Sequence, residues 1–203
     1  MKDITVLLDN GHGGLTDGKY KALSGGRFVT FDDGTTIYEG EFNRYICAGI
    51  MMELTKLGIK YVNIAPEHQD ITLAERVKRA NQYDKRKSFL ISIHANAGGG
   101  TGFEVFTSVG QTKSDKIATV FAKAFVKEFP DERLRSEPWG DADLDKERNF
   151  HILKKTTMPA ILTENFFMDN EAECRKYLLT REGRNRIIDF HVAAIQEVIK
   201  DLY

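Results

Sequence analysis

Two histidines stand just beyond two apolar runs of the sequence. His12 follows the run 4–8, and His94 follows the run 89–93. Short apolar runs that are bounded by turn residues predict buried β-strands. A third run, 159–163, leads directly into Glu164. Because open α/β sheets bind ligands beyond the carboxyl ends of their strands, two imidazoles and a carboxylate at such positions suggest a metal site.

Zinc in hydrolytic sites takes three histidine or carboxylate ligands and keeps a fourth position for water. His12 and His94 supply two of these ligands. Glu39 is the best placed candidate for the third, because it lies between the glycine-rich segment 11–40 and the first predicted helix. Glu41 is its competitor. At this loop-to-helix junction the two glutamates are expected to point to opposite sides, so only one should reach the ion.

Once three ligands are assigned, Glu164 remains as a carboxylate without a ligand role. A zinc hydrolase needs such a group as general base and acid, to take a proton from the water on the ion and deliver it to the leaving nitrogen. The sequence has neither the Gly-x-Ser-x-Gly pattern of serine hydrolases nor the His-Glu-x-x-His pattern of common zinc proteases. The residues therefore predict water, rather than a side chain, as the nucleophile.

The elements that must position these residues alternate between strand and helix along the chain. This order predicts an α/β fold with a mostly parallel (mixed) central sheet of about six strands and helices packed on both faces. With 203 residues, the chain is expected to form one catalytic domain over 1–203. The predicted segments are helices over 41–57, 72–83 and 181–202, a helix capped by Ser114, strands over 60–64, 103–107 and 150–153, and a hairpin of 27–30 with 35–38.

Composition limits the classes of partner. The formal net charge of −1 provides no global field for nucleic acid or for an anionic membrane, and no run approaches the roughly 20 apolar residues of a membrane span. Cys47 and Cys174 lack metal-ligand spacing and are expected to be packing thiols. No signal peptide is recognised at the amino terminus, so synthesis in the cytoplasm is expected. The oligomeric state is left open.

Five segments, taken in order, resemble the motifs of the zinc-dependent N-acetylmuramoyl-L-alanine amidases of the amidase-3 family. They are residues 9–14, Glu39 with Asn43, Leu73 with Arg76 and Asn81, 92–97, and 158–170. The resemblance implies that His12, Glu39 and His94 bind Zn²⁺ and that Glu164 is the catalytic carboxylate. It selects Glu39 over Glu41, because the family's ligand glutamate stands four residues before an asparagine. The implied substrate is the muramoyl–L-alanine amide of peptidoglycan, in the bacterial cell wall.

Two other functions remain open at this stage. A site of two histidines and one glutamate also serves zinc peptidases that cut within the peptidoglycan stem peptide, and a non-catalytic wall-binding module would need neither the ion nor Glu164. The segment 130–147 is too short and polar for a long occluding helix. We therefore expect an open site and a lytic role, such as that of a phage or prophage endolysin.

The remaining histidines and the single tryptophan have simpler interpretations. His68 is expected in solvent, and His191 is expected as a hydrogen-bonded core residue of the last helix. His151 lies near the run that precedes Glu164, and a place in the cleft is the less favoured alternative for it. Trp139 is a candidate either for anchoring its loop or for stacking on a sugar ring.

Overall fold

A six-stranded sheet forms the centre of the computed structural model, which describes residues 3–137 and 144–203. The ten strands of the described residues are β1 (Thr5–Asn10), β2 (Leu15–Thr16), β3 (Lys19–Tyr20), β4 (Phe28–Thr30), β5 (Thr36–Tyr38), β6 (Lys60–Asn63), β7 (Ser88–Asn96), β8 (Phe103–Thr107), β9 (Lys146–Glu147) and β10 (Ala160–Phe167). The order of strands in the central sheet is β6-β1-β7-β10-β8-β9. The first four of these strands run parallel, β8 is antiparallel to β10, and β9 is parallel to β8.

Helices cover both faces of this sheet, which confirms the predicted fold class. The larger apolar cluster joins one face to α1, α3 and α6, and the smaller cluster joins the other face to α2 and α4. Alternation along β1 explains the division, because Val6 and Leu8 belong to the larger cluster and Leu7 to the smaller one. The helices are α1 (Glu39–Lys56), α2 (Leu73–Ala80), α3 (Lys113–Glu128), α4 (His151–Lys155), α5 (Glu171–Glu173) and α6 (Arg181–Leu202), with a π-helical turn at Cys174–Leu178.

The predicted strand over 150–153 is wrong, because this segment begins the short helix α4. A four-residue segment with three apolar residues does not distinguish a strand from a buried helical turn. Ser114 is also not the cap of α3. Thr112 caps this helix, and its side chain and that of Asp115 form a reciprocal capping box.

The glycine-rich segment 11–40 contains two small antiparallel ribbons. The predicted hairpin is confirmed, since β4 pairs with β5, and a second ribbon pairs β2 with β3. These ribbons lead the chain from the end of β1 to Glu39, the first residue of α1. The segment therefore places the start of α1 next to the carboxyl ends of the strands.

Other predictions concern the surface and the thiols. Cys47 and Cys174 are free and buried in the larger cluster. In the described residues, no helix is both long and apolar enough to span a membrane. Within the polar segment 130–147, Leu134 forms an isolated bridge with Phe103, and Lys146–Glu147 form β9. Trp139 lies outside the described residues.

Candidate metal and proton-transfer site

Three donor side chains converge at the carboxyl ends of β1 and β7. The ligand atoms of His12, Glu39 and His94 all lie within 4.8 Å of one another. His12 Nε2 is 3.3 Å from Glu39 Oε2, and His94 Nδ1 is 2.9 Å from Glu39 Oε1. Two ligands held about 2.1 Å from one ion in tetrahedral geometry stand roughly 3.4 Å apart. The donor set and its spacing therefore fit a single cation.

His12 lies in a turn that its neighbours hold in place. Its φ angle of 63° falls in the left-handed region, which residues other than glycine rarely adopt. Its carbonyl oxygen accepts hydrogen bonds from Arg44 at 3.0 Å and from Arg76 at 3.4 Å. The preceding carbonyl, that of Gly11, accepts one from Asn43 at 2.9 Å. Side chains of α1 and α2 thus stabilise the backbone that turns His12 toward the other donors.

Glu39 is almost completely buried, with 2% of its surface exposed, and it lies in the first turn of α1. The helix N-terminus favours its negative charge. Burial alone raises the pKa of Glu39, but the contacts with His12 and His94 outweigh burial and hold the pKa well below its usual range. Glu41 lies elsewhere, with Oε1 accepting a hydrogen bond from Leu15 N at 2.6 Å. Of these two glutamates, only Glu39 joins the histidines.

His94 is oriented through a chain of polar groups behind it. Ser92 Oγ donates a hydrogen bond to Asp9 Oδ2 at 2.7 Å and lies 3.2 Å from His94 Nε2. Because the hydroxyl proton of Ser92 is used on Asp9, Ser92 accepts from the Nε2–H of His94. Nδ1 lies 2.9 Å from Glu39 Oε1 and is the nitrogen of this ring that would face a cation. Burial lowers the pKa of His94, but the Glu39 carboxylate more than offsets this and leaves the pKa raised.

A buried guanidinium supports the same chain. Arg76, with 2% of its surface exposed, donates to Asp9 Oδ1 at 2.5 Å and to Asp70 Oδ1 at 2.9 Å. It also donates to the carbonyl oxygen of Asn10 at 2.9 Å. The two carboxylates balance the charge of Arg76, so Asp9 can be buried beneath the site.

Glu164 stands beside the three donors on β10. Its register partners are His94 on β7 and Glu104 on β8. Oε2 of Glu164 is buried and has no hydrogen-bond partner among the described residues. Burial, reinforced by the charges of Glu39 and Glu104, raises the pKa of Glu164 to about 8. A carboxyl group with this pKa can both accept and release a proton near neutral pH.

These residues share one cleft of about 500 Å³. His151, at the start of α4, also lines this cleft. A place in the cleft was the less favoured alternative for this residue. His68 is exposed, as expected. His191 is fully buried and hydrogen-bonded, with Nδ1 2.8 Å from Ile187 O and Nε2 3.2 Å from Thr163 Oγ1, so it is a satisfied core residue.

The sequence reasoning missed Asp9, Ser92 and Arg27 as parts of this site. The signal for Ser92 was present, because residues two apart on a strand share a face and Ser92 precedes His94 by two. Ser92 and Asp9 are register partners on the neighbouring strands β7 and β1, so their contact could be predicted only once the pairing of these strands was known. Nothing in the sequence indicated that Arg27 faces the cleft.

The chain is similar to proteins of one family over nearly all of its length. The family model described as N-acetylmuramoyl-L-alanine amidase matches residues 6–197. N-acetylmuramoyl-L-alanine amidase CwlM of Bacillus licheniformis is 28% identical over 173 residues, which are 85% of this chain and 60% of that protein. The endolysin of Bacillus phage SPP1 is 30% identical over 132 residues, 63% of this chain and 45% of the endolysin. This chain thus spans 60% or less of the length of these two relatives.

A solved structure has the same architecture. The crystal structure of N-acetylmuramoyl-L-alanine amidase from Clostridium difficile 630 superposes with a TM-score of 0.78 at 25% identity, and the match covers 99% of both chains. The likeness therefore includes every element that carries a residue of the site.

Proposed function

The chain belongs to the N-acetylmuramoyl-L-alanine amidase family (amidase-3), and from this membership we propose that it hydrolyses the amide bond between N-acetylmuramic acid and L-alanine in peptidoglycan. The observation that carries the proposal is the convergence of His12, Glu39 and His94 beside Glu164, whose buried Oε2 atom has no hydrogen-bond partner among the described residues. A wall-binding module would have no use for either feature.

Zn²⁺ would be held by Nε2 of His12, a carboxylate oxygen of Glu39 and Nδ1 of His94. Two imidazoles and one carboxylate are a ligand set typical of hydrolytic zinc sites. When bound, the ion supplies a Lewis acid for the amide carbonyl and acidifies a water molecule. Asp9 and Ser92 fix the ring of His94, and Asn43 fixes the turn before His12, so the chain presents its donors already oriented.

Glu164 moves the proton. Its carboxylate accepts one proton from the attacking water and delivers that proton to the L-alanine nitrogen as the C–N bond breaks. The products are a carboxylate on the lactyl group of the sugar and a stem peptide with a free amino terminus. The raised pKa of Glu164 favours its protonated form, in which it acts as an acid.

The experiment that tests this proposal identifies the bond that is cut. Purified sacculi are digested with the zinc-loaded protein, and the products are analysed by mass spectrometry. Intact stem peptides that begin with free L-alanine are expected. Shortened stems that remain attached to muramic acid would overturn the proposal in favour of a peptidase that cuts within the stem.

A Glu164→Gln variant separates catalysis from wall binding. The substitution keeps the size of the side chain and removes its ability to exchange a proton. Release of stem peptides should fall by about 10²-fold to 10⁴-fold, with zinc content and binding to sacculi retained. Unchanged release by this variant would remove Glu164 from the mechanism.

We also propose a lytic role without a separate activator. The support is the likeness to the phage SPP1 endolysin and the short segment 130–147, of which the structure describes all but 138–143. The purified chain should release peptides from sacculi with no added protein. Activity that appears only after an activator is added, or after the segment 130–147 is deleted, would contradict this role.

A further inference from the structure

The cleft contains a guanidinium that the chemistry above does not use. Arg27 lines the cleft together with His12, His94 and Glu164. Among the described residues that line the cleft, Arg76 is the other basic side chain of this kind, and its charge is already balanced by two carboxylates. Arg27 forms no ion pair within hydrogen-bonding distance in the described part of the chain. Its positive charge is therefore available to a ligand.

The donors of Arg27 are also available. Nε donates to Ser24 Oγ at 3.2 Å, while the two terminal nitrogens donate to none of the described residues. The terminal N–H groups of a guanidinium form a planar fork that matches the two oxygens of a carboxylate. The hydrogen bond from Nε to Ser24 Oγ restricts the guanidinium, so less conformational entropy is lost when its terminal N–H groups bind a ligand.

The backbone of Arg27 is tied to the metal site. Its carbonyl oxygen accepts the hydrogen bond of Glu39 N at 2.9 Å, and β4 begins at the next residue, Phe28. Burial is the main cause of the raised pKa of Glu164, and the positive charge of Arg27 partly opposes this increase. The guanidinium of Arg27 therefore lies close enough to Glu164 to interact with it electrostatically. A ligand group bound by Arg27 would lie in the same cleft as the reacting amide.

We propose that Arg27 is a specificity-determining residue that binds a free carboxylate of the stem peptide close to the amide that is cut. The inference rests on the proposed function and adds a feature of the substrate to it. The carboxylate belongs to the peptide, because the lactyl carboxyl group of muramic acid is itself part of the scissile amide. The nearest one is the α-carboxylate of the second stem residue where that residue is D-glutamate, and amidation of this group removes its charge.

Two substrates that differ in this one group test the proposal. They are N-acetylmuramoyl-L-alanyl-γ-D-glutamyl-L-lysinamide, which has a free α-carboxylate on its second residue, and N-acetylmuramoyl-L-alanyl-D-isoglutaminyl-L-lysinamide, in which a carboxamide replaces that α-carboxylate. In both compounds the γ-carboxyl group is part of an amide bond, so no other free carboxylate competes. The zinc-loaded protein should have a kcat/KM at least about tenfold higher on the carboxylate substrate, as expected for a charge-assisted hydrogen bond. In Arg27→Gln this ratio should fall to about one. In Arg27→Lys part of the preference should return, because a single charge replaces the fork.

Arg86→Gln is the matched control, because Arg86 is 84% exposed and pairs with Asp84. It should keep the ratio of the native protein. Binding of both compounds to Glu164→Gln, and to Glu164→Gln combined with Arg27→Gln, is measured by calorimetry and gives the same comparison without turnover. Equal values for the two compounds in the native protein, or a preference that survives Arg27→Gln, would overturn the proposal. Cleavage of neither compound would count against the proposed function, while the binding comparison would still decide the role of Arg27.

Discussion

Gly11 leaves space that the ring of His94 fills, and replacing it with alanine should dismantle the metal site. A Cβ atom at residue 11 would lie 2.1 Å from Cε1 of His94 and 2.4 Å from its Nε2. Ordinary van der Waals contact begins near 3.4 Å, so the ring must move by more than about 1 Å. Metal–ligand distances are held to about ±0.2 Å. We therefore expect Gly11→Ala to weaken zinc binding by more than about 100-fold, a loss at least as large as that caused by changes behind the ligands.

This loss can be measured as stability. At a free zinc concentration of about 100 times its Kd, the native protein gains about 2.7 kcal/mol of unfolding free energy. With a Kd weakened about 100-fold, the same zinc concentration contributes only about 0.4 kcal/mol. Urea unfolding with and without zinc gives both values. Gly25→Ala is the control, because a Cβ there meets no atom within 4 Å. If zinc stabilises Gly11→Ala as strongly as it stabilises the native protein, the packing of Gly11 on His94 does not fix the site.

Three further changes test other parts of the structure. Ser92→Ala removes the group that holds His94 Nε2, and chelator competition should show zinc affinity about 10-fold to 100-fold lower; unchanged affinity would contradict this role. Gly40→Ala, although favourable for an isolated helix, should destabilise the protein by about 1–3 kcal/mol in urea titrations, because its Cβ would lie 1.6 Å from Gly13 O; a gain in stability would refute the close contact. Burial lowers the pKa of His191 to about 4, so the folded state binds fewer protons than the unfolded state between about pH 4 and 6.5. Stability should therefore fall by up to about 3 kcal/mol as the pH decreases through this window, and His191→Gln should lose less than the native protein over the same range; equal losses would show that His191 does not cause the acid sensitivity.

The sequence predicted the fold well where its patterns are long. The strands β1, β7 and β10 were predicted from apolar runs that lead into polar residues, and α6 was predicted with its observed bounds, Arg181–Leu202. The prediction was wrong for α4, where the segment 150–153 has only three apolar residues and periodicity carries little information. It was also wrong for the cap of α3, since both Thr112 and Ser114 are good N-cap residues and the reciprocal contact with Asp115 favours the former.

For the site, the types of residue were predictable and their supports were not. His12 lies just beyond β1, whereas His94 and Glu164 lie within β7 and β10 after apolar runs, so their meeting at one sheet edge follows from the parallel pairing of these strands. The positions of Asp9 and Arg27 depend on contacts between segments that are far apart in sequence. Asp9 accepts a hydrogen bond from Arg76 on α2. Arg27 precedes the ribbon of β4 and β5, and the sequence pattern predicts this ribbon but not how it is oriented relative to the cleft.

We propose that Glu39, rather than Glu41, completes a three-ligand zinc site with His12 and His94. Zinc content per chain, measured by mass spectrometry of the metal after chelation and reloading, tests it most directly. We expect one zinc ion in the native protein and in Glu41→Gln, whose side chain contacts the backbone of Leu15 instead. Glu39→Gln should lose most of its zinc. Full zinc occupancy in Glu39→Gln together with loss in Glu41→Gln would contradict the account.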